Sequence, residues 1–199
     1  QAIDYEAELP EQHSVSLVTS TLSVSADTSI DSFNPTVNFN QSSTGLLGVS
    51  DAGFESRLLF EFPMNFSSAD TVHSATMNIV CDENSVASSD ISIYTAAPSA
   101  WNTSTATWFQ ADVGTPWSAL GADGSSDRSA WEPPFRSTTN GTFSLNVTGI
   151  AQDAASTNQS SVSILVSALG SQYECSFSDS MNIINRPELI LVSSASAAG

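Results

Sequence analysis

Apolar residues recur at every second position in short segments of this chain, and that alternation removes most of its folding options. It runs through Leu22-Ser-Val24, Arg57-Leu-Leu-Phe-Glu-Phe62, Ala75-Thr-Met-Asn-Ile-Val80, Ile91-Ser-Ile-Tyr94, Thr142-Phe-Ser-Leu-Asn-Val147, Val162-Ser-Ile-Leu-Val166 and Leu189-Ile-Leu-Val192. Side chains on a strand alternate between its faces, so each segment offers one apolar face to a core. Ser-, Asn-, Gly- and Asp-rich turns separate them. The expected class is all-β: an antiparallel β-sandwich or jelly roll with a long N-terminal extended strand and one short helix. The helix is expected over residues 148–155, with Thr148 as its cap and Ile150, Ala151 and Ala154 facing inward. A chain of 199 residues is long enough for one such core to suffice. The expected division is an N-terminal extension over residues 1–20, the sandwich over 21–193 and a small-residue tail over 194–199.

The stretch before the sandwich carries a phase conflict. Val15 and Leu17 share one parity, whereas Val18, Leu22 and Val24 share the other, and no turn residue separates them. Thirteen extended residues reach ~40 Å at ~3.3 Å each, about twice a usual strand. A strand completed by a neighbouring copy has its apolar phase set by the acceptor. Residues 14–21 are therefore a candidate donor strand, with Val15, Leu17 and Val18 as the inserted side chains.

Charge narrows the partners. The chain has 21 acids against four arginines, Arg57, Arg128, Arg136 and Arg186, for a net charge of −17. Nucleic acid and anionic lipid are repelled, and no apolar run is long enough to insert into a membrane. The chain starts at Gln1 rather than methionine, which suggests a removed leader and an extracellular, secreted or cell-surface location. In that setting Cys81 and Cys175, the two cysteines, are expected to pair. Several of the six Asn-x-Ser/Thr sites at Asn40, Asn65, Asn102, Asn140, Asn146 and Asn158 are expected to carry glycans.

Several segments, in order, resemble DNRLRE-type domains, an extracellular jelly-roll family related to carbohydrate-binding modules. They are Leu22-Ser-Val-Ser-Ala-Asp-Thr-Ser-Ile30, Asn34-Pro-Thr-Val-Asn38, Arg57-Leu-Leu-Phe-Glu-Phe62, His73-Ser-Ala-Thr-Met-Asn-Ile79, Trp101-Asn-Thr-Ser-Thr-Ala-Thr-Trp108, Phe143-Ser-Leu-Asn-Val-Thr148 and Arg186-Pro-Glu-Leu-Ile-Leu191. The resemblance spans residues 21–192 and implies a β-sandwich without catalysis, in polysaccharide binding or at a cell surface.

No residue pattern points to catalysis. His13 and His73 stand in no recognisable motif, and no pair of carboxylates is singled out. The four tryptophans fall within 31 residues. Trp101 and Trp108 lie in the motif above and read as core. Trp117 and Trp131 lie in a Gly- and Pro-punctuated stretch, residues 111–137, and are candidates for stacking on a glycan or anchoring an interface. No cofactor is expected, and Asp123 and Asp127, in Asp123-Gly-Ser-Ser-Asp127, are the candidate ligands should a calcium ion bind. Two functions follow. The first is a structural subunit that assembles with copies of itself into a homopolymeric filament or surface coat. The alternative is a carbohydrate-binding or adhesive module for a surface polysaccharide.

Overall fold

The computed structural model describes residues 16–40, 44–50, 52–64, 70–84, 91–129, 135–137, 141–169, 173–178 and 184–194. One antiparallel sheet runs in the order β1 (Leu17–Ser23), β14 (Glu188–Ser194), β5 (Thr71–Asn84) and β11 (Gly141–Asn146). The other runs β2 (Ala26–Asp31), β4 (Glu55–Pro63), β12 (Ser161–Leu169), β6 (Ile91–Pro98) and β10 (Phe135–Ser137). β3 (Thr44–Val49) and β13 (Tyr173–Ser178) pair with each other. β3 also meets β4, and β13 meets the far end of β5, so hydrogen bonding continues from sheet to sheet. The expected β-sandwich is what the chain forms.

The period-two segments supply the core. Leu58, Phe60 and Phe62 of β4 and Val162, Ile164 and Val166 of β12 belong to one buried cluster with Met77 and Ile79 of β5, Leu145 of β11, and Leu189 and Leu191 of β14. Phe143 and Phe177 meet edge to face, with centroids 5.5 Å apart. The helix α1 (Thr148–Ser156) buries Ile150, Ala151, Ala154 and Ala155 in the same core. Thr148 is not its cap. Val147 holds that position without a side-chain cap bond. The Thr148 hydroxyl instead accepts the Ala75 N–H at 3.0 Å and donates to Asn146 Oδ1 at 2.7 Å. The hydroxyl thus ties the helix start to β5.

β4 is buried on both faces. Leu59, between the core residues Leu58 and Phe60, points outward into a second apolar cluster with Ile30, Leu165, Ala106, Trp108, Ala111, Trp117 and Ala122. The long connection between β6 and β10 therefore lies over the outer face of the second sheet. It contains the small ribbon β7 (Gln110–Asp112) and β8 (Thr115–Pro116), and the short β9 (Arg128–Ser129) against β6.

The N-terminal expectation is corrected. Residues 17–20, assigned above to an extension, belong to β1, which pairs in register with β14 of its own chain from Leu17↔Ser194 to Ser23↔Glu188. The physical reason is that β14 offers a free edge, and a local strand closes it without the entropy of association. Within the single chain Leu17 and Val18 are 59% and 53% exposed. Val15 lies outside the described residues. Ser194, assigned to the tail, closes β14. Among the described residues no helix is long and apolar enough to cross a membrane.

Candidate functional site

Trp101, Trp108 and Trp117 build the cover over β4. Trp117 is 5% exposed, and its Nε1 donates to the Thr107 carbonyl at 2.8 Å. It packs as core and offers no face to a ligand, which corrects the expectation of a stacking platform there. Trp108 is buried against Gly121, whose φ is +71° and where a Cβ would lie 2.5 Å from the indole ring, so glycine is needed there. Trp101 packs at the edge of this cluster, and Trp131 lies outside the described residues.

Arg57 fixes the cover to the sheet. It projects from the outer face of β4, buried, and donates through Nη1 to the Gly121 carbonyl at 2.6 Å and to Asp123 Oδ1 at 3.3 Å. Its Nη2 donates to Glu55 Oε2 at 2.8 Å, and its guanidinium carbon stands 5.2 Å from the centroid of Trp108. Arg128 joins the network at 2.7 Å from Asp123 Oδ1.

The two candidate calcium ligands are used by this loop itself. Asp123 is the counter-ion of Arg57 and Arg128. Asp127 is buried and accepts backbone N–H bonds from Ser118 (2.7 Å), Ala119 (2.9 Å) and Gly124 (3.0 Å). Among the described residues no group of three or more His, Cys, Asp or Glu is placed to hold a metal. Burial pushes the Asp127 carboxyl up, but the N–H groups of Ser118, Ala119 and Gly124 and the Ser118 hydroxyl outweigh it, so the group lies below the usual carboxylate value. A depressed folded value stabilises the fold above the unfolded value, about 3.9, and that stability is lost as pH falls through the folded value. Asp127→Asn turns an amide NH2 toward N–H donors. It is expected to cost about 1–3 kcal/mol at neutral pH and to flatten the acid limb of stability below about pH 4. Urea unfolding of both proteins from pH 2 to 7 measures this. Parallel curves would refute it.

Two surface features remain. A cleft of about 240 Å³ lies between α1 and the β6–β12 side, with Asp153, Thr157, Gln159 and Ser163 among its polar lining and no aromatic ring. The other was not singled out in the sequence. Phe33 and Phe54 are 63% and 39% exposed and meet edge to face with centroids 4.8 Å apart. Both backbones are held. Phe33 N–H donates to Asp31 Oδ1 at 2.7 Å, and Ser32 N–H donates to the Glu55 carbonyl at 2.9 Å while its hydroxyl accepts the Glu55 N–H at 2.7 Å. Phe54 exchanges bonds with Ser50, its N–H to Ser50 Oγ at 3.1 Å and its carbonyl accepting Ser50 N–H at 2.8 Å.

Asn102, Asn146 and Asn158 are exposed, and Asn40 is half-buried. Asn65 and Asn140 lie outside the described residues. Cys81 is buried on β5 and disulfide-bonded. The second cysteine of the chain, Cys175, lies on β13, the strand paired beside it. His73 Nε2 is 2.8 Å from Ser194 Oγ, and His13 lies outside the described residues.

Against known proteins, the model of carbohydrate-binding module family 96 matches residues 18–193, from β1 to β14. No curated protein matches the chain.

Proposed function

The chain belongs to carbohydrate-binding module family 96, and from that premise we propose that it is a non-catalytic extracellular module that holds a polysaccharide. The observation that carries the reading is the extent of the match, which takes in the whole sandwich rather than one motif. The likeness to DNRLRE-type domains, through the Arg57-led strand and the Trp101–Trp108 segment, supports the same reading. The fold agrees with it. Trp117, Asp123 and Asp127, which suggested chemistry in sequence, are spent on packing and pinning the long connection over β4, which makes a rigid scaffold for a surface site. No cofactor enters this reading.

Binding takes precedence here over a filament subunit, because β1 completes the sheet of its own chain and leaves residues 17–21 no need of an acceptor in a second copy. Exposed Asn102, Asn146 and Asn158 suit glycosylation of a secreted module. The reading is tested by incubating the folded chain with a panel of insoluble polysaccharides. Depletion of protein by at least one, with no new reducing ends released, is the expected result. Release of reducing ends would show an enzyme instead.

A further inference from the structure

Beyond the polysaccharide reading, we propose that β1 is a homodimer interface: its outer edge pairs antiparallel with the same strand of a second copy, about a two-fold axis at Ser20. β1 closes the edge of β14 and thereby becomes the edge itself. Among the described residues it pairs with β14 alone, so one side of its backbone presents N–H and C=O groups with no strand beside them. Soluble chains block such an edge with a lysine, a proline, a bulge or a very short strand. β1 uses none of these devices. It runs for seven residues, Leu17–Ser23, in unbroken register with β14 and without a charge, a proline or a glycine.

The strand's own sequence selects the partner. Val18-Thr19-Ser20-Thr21-Leu22 reads alike in both directions: apolar, Thr, Ser, Thr, apolar. An antiparallel pair centred on Ser20 sets Val18 against Leu22 of the second copy, Thr19 against its Thr21, and Ser20 against itself. Matched apolar and Thr–Thr neighbours of this kind stabilise adjacent strands. Val18 and Leu22 share the face of β1 that turns toward the core. Leu22 is partly buried there, whereas Val18 is 53% exposed, so the pairing covers an apolar side chain that the single chain leaves in water. At a net charge of −17 two copies repel one another at long range, yet the joint itself is clear of charge. No charged residue stands between Leu17 and Ala26. Glu188, the one charge on β14, lies across from Ser23, which puts it at opposite ends of the joint in the two copies. The joint is isologous and closes on itself, so it gives a dimer and not a fibre. One strand pair is a small interface, so the dimer is reversible.

The test is sedimentation velocity of the full chain from about 5 to about 500 µM, in about 20 and about 300 mM salt, beside the Thr19→Glu/Thr21→Glu variant. Wild type is expected to pass from monomer to dimer over this range, and more readily at the higher salt, which screens the net repulsion. In the variant each new carboxylate would face another across the joint. It is expected to stay monomeric, with the wild-type melting temperature in dilute solution because both threonines are exposed. Oxidative cross-linking reads the register. Ser20→Cys, on the axis, is expected to link two copies through position 20 into a reducible dimer. Leu17→Cys, about 20 Å from its counterpart in the second copy, is expected not to link. A folded wild type that stays monomeric throughout overturns the joint, as does a dimer undiminished in the folded glutamate variant. Failure of Ser20→Cys to link, or equally fast linking at Leu17→Cys, rules out the two-fold register, and growth into larger oligomers rules out a closed dimer.

Discussion

Removing the disulfide at Cys81, by reductant or by Cys81→Ala/Cys175→Ala, is expected to cost about 4–5 kcal/mol. A bridge between the chain's two cysteines closes a loop of about 93 residues, and in the chain-entropy model a loop of that size removes about that much freedom from the unfolded ensemble. The native position explains why the constraint persists. Cys81 is buried in the main core on β5, opposite Phe177 of β13 in the ladder that joins the two sheets. At about 2–4 °C per kcal/mol for a domain of this size, the melting temperature should fall by roughly 8–20 °C. Scans with and without reductant, with alkylation to count thiols, measure it. An unchanged melting temperature with both cysteines alkylated would show that the bridge contributes little.

Arg57→Met is expected to cost about 2–4 kcal/mol. Methionine replaces the packing of the stem but none of the donors. The Gly121 carbonyl loses its 2.6 Å partner, and Trp108 loses the cation over its ring. The ion pairs themselves account for the smaller share, because the Glu55 and Asp123 side chains are 40% and 51% exposed and can return to water. The damage should be local: residues 101–123 are held on β4 partly by this residue, so proteolysis should first cut within them. Arg57→Lys should recover only part of the loss, since an ammonium lacks the planar fork that spans Glu55, Asp123 and Gly121 together. An unfolding free energy for Arg57→Met, from urea titration, within about 0.5 kcal/mol of wild type would contradict this account.

The fold was largely legible because one-sided strands write their burial as alternation. Phe60 and Phe62, Ile164 and Val166, and Leu189 and Leu191 all face the core that their parity implies. β3 was not legible, because Gly45 and Gly48 read as turn residues. Gly45 is a glycine for packing: a Cβ there would lie 2.5 Å from Leu58 Cδ2. The long connection misled for a related reason. Its glycines and prolines suggested a functional loop, yet it is a packed layer on the outer face of the second sheet. The signal for that layer lay in β4, where Leu58, Leu59 and Phe60 are apolar in succession and so demand cover on both faces.

The site was less legible. Tryptophan is the residue a reader expects under a sugar, so Trp117 drew attention, but its ring and its N–H are both satisfied internally. Phe33 and Phe54 stand 21 positions apart in turn-forming surroundings, where a single aromatic means little. Only the pairing of the β2–β3 connection with the β3–β4 turn brings the two rings together, and only exposure distinguishes them from core. The parity change that suggested a donor strand falls inside β1, which pairs with β14 of its own chain. A change of parity marks a place where a strand stops facing its own core, and at Leu17 and Val18 the other side is solvent.

The central claim is that this domain holds a polysaccharide without altering it. The most direct measurement is equilibrium depletion of the folded wild-type chain by insoluble polysaccharides across a concentration series, with the polymer recovered and sized afterwards. Saturable binding to at least one polysaccharide and an unchanged polymer length are the expected result. Shortened polymer, or no saturable binding to any polysaccharide by chain shown to be folded, would contradict it.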